Sequence, residues 1–76
     1  STADALKRLD GKVWAATVDR ASLEKISMDY PILYEQVYNG SINVRVEGEQ
    51  SPSQDFEPVQ PTLDDVYFSL CKAETK

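Results

Sequence analysis

The 76-residue chain has no histidine, one cysteine and three glycines. Without histidine it lacks the commonest general base and metal ligand. With Cys71 alone, no intrachain disulfide and no multi-cysteine metal site can form, which suits a reducing cytosol. Gly11, Gly40 and Gly48 lie far apart at turn-like positions, so there is no glycine-rich phosphate loop. Cations are scarce as well. Eight basic residues against 13 acidic ones leave a net charge of -5, which disfavours a nucleic-acid backbone or an anionic membrane surface as partner. No apolar run approaches the roughly 18 residues of a spanning helix, so no direct membrane insertion is expected. The opening STADALKRLDG has no apolar stretch of the signal-peptide kind.

What is present describes one small globular unit. Apolar residues make up 41 % and charged residues 28 %, values ordinary for a folded soluble domain. A chain this short buries only about 60 % of the surface its unfolded form exposes, enough for one modest core. Residues 1–8 read as a linker or a cloning-derived N-terminal segment, 9–71 as the folded domain and 72–76 as a C-terminal tail.

The first element is an alternating stretch, Lys12–Val18, after a turn signal at Asp10 and Gly11. Asp19 then stands where a helix N-cap belongs, and Val18 is placed to pack on Leu23 as a hydrophobic staple. Leu23, Ile26 and Tyr30 share one helical face, and Pro31 ends the helix near Asp29. Asn39 and Gly40 sit between two strand-like runs, and this pair favours a type I′ turn, which requires positive φ at both central residues. A two-residue loop sets Val37 opposite Ile42 and Leu33 opposite Val46 on one face, and Tyr34 opposite Arg45 and Tyr38 opposite Ser41 on the other. Glu35 then falls opposite Val44 on the apolar face, so either that face is open there or a longer loop sets the register. GEQSPSQD, residues 48–55, is a polar surface loop. Phe56–Gln60 reads as a short edge strand or as more loop, with Pro58 and Pro61 limiting its ladder bonds.

The chain closes on PTLDDVYFSL, residues 61–70. Thr62 followed three residues later by Asp65 has the pattern of a capping box, and Asp64 adds negative charge to the first turn, where the helix dipole favours it. Beyond the cap, Leu63, Val66, Tyr67 and Leu70 repeat at i, i+3, i+4 and i+7, the stripe expected of a helix docked on a sheet. Phe68 falls off that stripe, and an exposed Phe on a short terminal helix suggests an extra contact. An acid–base or metal role for Asp64 and Asp65 would need further converging groups, and none is visible. Ser69 has no histidine partner, and no cations cluster near Cys71 to lower its pKa. At this net charge Trp14, Tyr30, Tyr34, Tyr38, Phe56, Tyr67 and Phe68 suit packing better than base stacking. The expected fold is α+β: strand, helix, hairpin, optional short strand and helix, with both helices on one face of a small sheet.

PTLDDVYFSL is similar to the closing segment of many ABC transporter ATP-binding subunits, which runs Pro, Thr or Ser, Leu, Glu or Asp, Asp, Val, Tyr or Phe. LDGKVWAATV, residues 9–18, resembles the strand that opens the accessory domain after the nucleotide-binding core in that family. The helix, the hairpin with Arg45 in its second strand, and the run into Glu57, Pro58 and Val59 follow in the same order, so the likeness covers about residues 9–70. Some members place a further helix between the hairpin and the final segment, where residues 48–56 are too short and polar for one.

The resemblance implies a non-catalytic C-terminal accessory domain of a transport ATPase. Its partners would be its own nucleotide-binding core, the dimer mate and the membrane permease subunit, at the cytoplasmic side of the membrane. The Walker A loop, the magnesium-binding acidic strand with its catalytic Glu, the signature motif and the switch histidine are not in this sequence. ATP and Mg would therefore belong to the core, and no cofactor is expected here. The interface candidates are Leu63, Val66, Tyr67, Phe68, Leu70, Tyr34 and Tyr38. A different class of function, a free-standing module that binds a peptide by strand addition, fits the same elements, and an enzyme using Asp64 and Asp65 is the weakest reading.

Overall fold

The computed structural model describes residues 2–74, with side chains over 3–71. Three helices and a four-stranded antiparallel sheet make a small α+β domain, with the helices packed against the sheet. In chain order the elements are α1 (Thr2–Leu9), β1 (Val13–Val18), α2 (Arg20–Asp29), β2 (Ile32–Tyr38), β3 (Ser41–Glu47), β4 (Glu57–Pro58) and α3 (Leu63–Glu74). The sheet order is β2-β3-β1-β4, so the hairpin lies to one side of β1 and the two-residue β4 to the other. Among the described residues no helix is long and apolar enough to cross a membrane.

Local chemistry fixes several boundaries. The Asp19 carboxylate accepts a hydrogen bond from the Ser22 amide at 2.8 Å and starts α2. The β2–β3 turn is Asn39–Gly40, both at positive φ (50° and 81°), the geometry a two-residue hairpin loop needs if its twist is to match the strands. Tyr38 opposes Ser41, Val37 opposes Ile42 and Tyr34 opposes Arg45. Glu35 does lie opposite Val44, and it is exposed while Val44 is buried, so the apolar face opens at the outer strand. β4 pairs with β1 through Trp14/Pro58 and Ala15/Glu57, which places Pro58 on an outer strand where its missing N–H is tolerated.

Two small cores lie on opposite faces of the sheet. Ile42, Val44 and Val46 pack with Leu23 and Phe56 on the α2 side, together with Trp14, Ala16, Val18, Ile26, Tyr30 and Ile32. On the other side Val13 and Leu33 pack with Leu9, Val59, Val66 and Phe68. Helices therefore cover both faces, α2 on one and α1 with α3 on the other, where the sequence pointed to a single covered face. The register explains the difference: Leu33 sits in a bulge, so Ile32 rather than Leu33 opposes Val46, and Leu33 turns to the second face. Residues 2–9 also differ from the linker expectation. They form α1, with Asp4 in its first turn, Lys7 and Arg8 in its last, and Leu9 buried. The helix α3 runs on to Glu74, so only residues 75 and 76 of the expected tail lie outside the described residues.

Candidate interaction surface

The best-defined polar cluster lies where α3 meets the sheet. Arg45 points from β3 toward the first turn of α3, and its Nε donates to Asp65 Oδ1 at 2.9 Å while Nη2 donates to Asp65 Oδ2 at 2.6 Å. The same Nη2 reaches the Gln60 carbonyl at 3.0 Å. Asp65 Oδ2 also accepts the Thr62 amide at 2.8 Å, and the Asp65 amide donates to Thr62 Oγ1 at 3.2 Å. Thr62 and Asp65 thus exchange the two bonds of a capping box, and the acid is tied to β3 as well.

Asp65 is 1 % exposed. Burial pushes its carboxyl upward, but the Arg45 guanidinium and the Thr62 amide and hydroxyl more than offset this and hold it below the ordinary carboxylate range. Arg45 is correspondingly raised, first by its hydrogen bonds to Asp65. Asp64, the neighbouring acid, is exposed. The two carboxylates accordingly have different surroundings, and among the described residues no three His, Cys, Asp or Glu side chains converge as a metal-ligand set.

This anchor decides which face of α3 meets the sheet. With Asp65 turned inward, the residues three and four positions on, Phe68 and Ser69, turn inward too; Phe68 packs toward Leu9, Val13 and Leu33, and Ser69 Oγ donates to Glu47 Oε1 at 2.8 Å. The expected stripe is therefore not the docking face. Val66 flanks it half-buried, whereas Leu63, Tyr67 and Leu70 are 59 %, 63 % and 53 % exposed. Phe68, expected to be exposed, is half-buried and meets the Tyr67 ring edge-on at a centroid distance of 5.5 Å. Apolar periodicity could not separate the two faces, because both carry bulky apolar side chains.

Among the described residues nothing covers the rest of the second sheet face. Ala15, Thr17, Gln36, Asn43, Tyr34 and Arg45 border a shallow depression of about 450 Å³. Hydrogen bonds order its rim, Thr17 Oγ1 to Asn43 Oδ1 at 2.8 Å and Tyr34 OH to Gln36 Oε1 at 3.0 Å. Tyr34 and Tyr38 stand on this side along β2, both exposed. The members of the ion pair are 20 residues apart, so no local sequence pattern joins them. A faint signal existed: Arg45 alternates with buried valines, a place where a cation needs a partner. No protein-family profile, curated protein or solved structure matches the chain.

Proposed function

We propose that this is a contact domain without chemistry of its own: the C-terminal accessory domain of an ABC-type transporter's ATP-binding subunit. One observation supports this most. Asp65 supplies a helix cap and an ion pair, and α3, held in this way, turns Leu63, Tyr67 and Leu70 outward as a ready apolar stripe. In this reading the stripe packs on the nucleotide-binding core or on its dimer mate, within a complex at the cytoplasmic side of the membrane that includes a permease. ATP and Mg bind the core, and the domain biases the ATP-driven association by contacting one state more than the other.

The reading requires a nucleotide-binding core encoded upstream of Ser1 in the same frame. Deleting residues 1–76 from that parent chain should weaken ATP-dependent dimerisation and slow transport. Unchanged dimerisation and transport would overturn it.

A second reading, a free-standing module that adds an extended peptide to its sheet, is favoured by the position of β2 as a seven-residue outer strand. A start codon directly before Ser1 would point to it.

A further inference from the structure

The two edges of the sheet are unlike. β4 is two residues long and carries Pro58, a combination that blunts an edge. β2 is seven residues long, and from Tyr34 to Tyr38 it has no proline, no lysine and nothing covering it among the described elements. Its ladder phase is defined by the turn. Tyr38 and Ser41 flank a two-residue loop and form a hydrogen-bonded pair, so Tyr38, Gln36 and Tyr34 direct their N–H and C=O groups toward β3. Beyond the bulge Glu47 donates its amide to the Pro31 carbonyl at 3.1 Å, so β3 keeps its phase while β2 shifts by one residue, and the outward alternation holds from Tyr34 to Tyr38. The N–H and C=O groups of Glu35 and Val37 therefore point outward.

We propose that this edge pairs with β2 of a second copy of the chain, antiparallel and centred on Gln36, to give a continuous eight-stranded sheet. The register is self-complementary in three respects. Glu35 opposes Val37 of the other copy, and these two residues exchange the ladder bonds that their outward groups offer. Tyr34 opposes the other copy's Tyr38 on the uncovered face, an aromatic cross-strand pair on each side of the axis. No like charges meet, since the only ionisable group with a carboxylate in the segment, Glu35, faces valine; centring on Glu35 would set the two carboxylates against each other. Tyr34 is already tied to Gln36, which limits the ordering needed on pairing. The contact uses β2 and not the α3 stripe, so it goes beyond the transporter reading and holds or fails without it.

Sedimentation equilibrium of the 76-residue chain up to about 1 mM, a range suited to a small interface, should show a reversible dimer. Val37→Pro removes an outward donor and no bond to β3, so it should leave the far-UV spectrum intact and the chain monomeric. Val37→Lys places a cation opposite Glu35 of the other copy and Val37→Glu places an anion there. The lysine variant should dimerise about tenfold more tightly than the glutamate variant. This comparison decides the matter even if the proline variant folds poorly. A wild-type chain that stays monomeric at the highest concentration overturns the proposal and leaves the edge to an extended peptide. Dimerisation indifferent to all three variants overturns it too, and moves the contact to α3.

Discussion

Arg45 and Asp65 close a two-pronged ion pair between β3 and α3, with bonds of 2.9 and 2.6 Å around a carboxylate that is almost wholly shielded from water. Breaking one partner of such a pair leaves an uncompensated charge in a poorly solvated place, which costs about 3 kcal/mol. Asp65→Ala also removes half of the capping box. It should therefore lower Tm by roughly 12 °C or more in a domain of this size. Asp64→Ala, one residue away and exposed, should cost about 0.5 kcal/mol through the helix dipole alone. Thermal unfolding followed by far-UV circular dichroism separates the two, and equal losses would remove the ion pair from its role.

The same carboxylate gives the domain an acid-sensitive joint. Asp65 is held below its ordinary value of 3.8 in the folded state, burial notwithstanding, by Arg45 and Thr62. A carboxyl depressed on folding contributes stability at pH values above its unfolded pKa and loses it as the pH falls through the folded one. Its share should thus be complete near pH 5 and decline below pH 4. Asp19, lowered by the Ser22 amide, titrates in the same direction. Tm measured from pH 7 to pH 2 should fall steeply in the wild type. In Asp65→Asn it should start lower and fall less, Asp19 supplying the remaining slope. Parallel curves for the two proteins would assign the acid limb to other groups.

How far these features could be read in advance follows from the sequence distance each one spans. Asp19 with Ser22, Asn39 with Gly40, and Thr62 with Asp65 act within four residues, and each leaves a pattern that propensity rules recognise. The α+β character follows from the same local signals. What escaped depends on partners far along the chain. The bulge at Leu33 has no local mark, yet it moves that side chain to the opposite face and recruits helices to both sides of the sheet. Residues 2–8 look like a linker until the helix they form carries Leu9 onto Val13 and Leu33. Periodicity marks the stripe on α3 but not its direction, since both faces carry apolar side chains and the Arg45–Asp65 pair lies on the inward one with Phe68.

Gly48 illustrates a constraint of another kind. A methyl group there would stand 2.8 Å from the Tyr30 ring, closer than carbon atoms approach without displacement. Its carbonyl accepts the Trp14 indole N–H at 2.9 Å, and its amide donates to the Lys12 carbonyl at 2.8 Å. The backbone is pinned from two sides, and the ring packs against the α2-side core, so neither can yield freely. Gly48→Ala should destabilise the domain by about 1–3 kcal/mol, as overpacking usually does. Denaturant titration followed by Trp14 fluorescence reports on the same spot. A midpoint unchanged by the substitution would mean that Tyr30 has room to move.

Leu63, Tyr67 and Leu70 provide the sharpest separation between folding and function. In an isolated domain their exposure means that polar replacements remove little buried area, so Leu63→Ser, Tyr67→Ser and Leu70→Ser combined should shift Tm by only a few degrees. Phe68→Ser, on the inward face, should cost about 3 kcal/mol or more. If the outward stripe is the contact with a nucleotide-binding core, the triple variant placed in the parent chain should lower ATP-dependent dimerisation and transport while the domain stays folded. Phe68→Ser would lower both by unfolding it. A triple variant with full transport would show that the stripe is solvent-facing in the assembly as well, and the contact reading of α3 would then fail although the Arg45–Asp65 anchor remained sound.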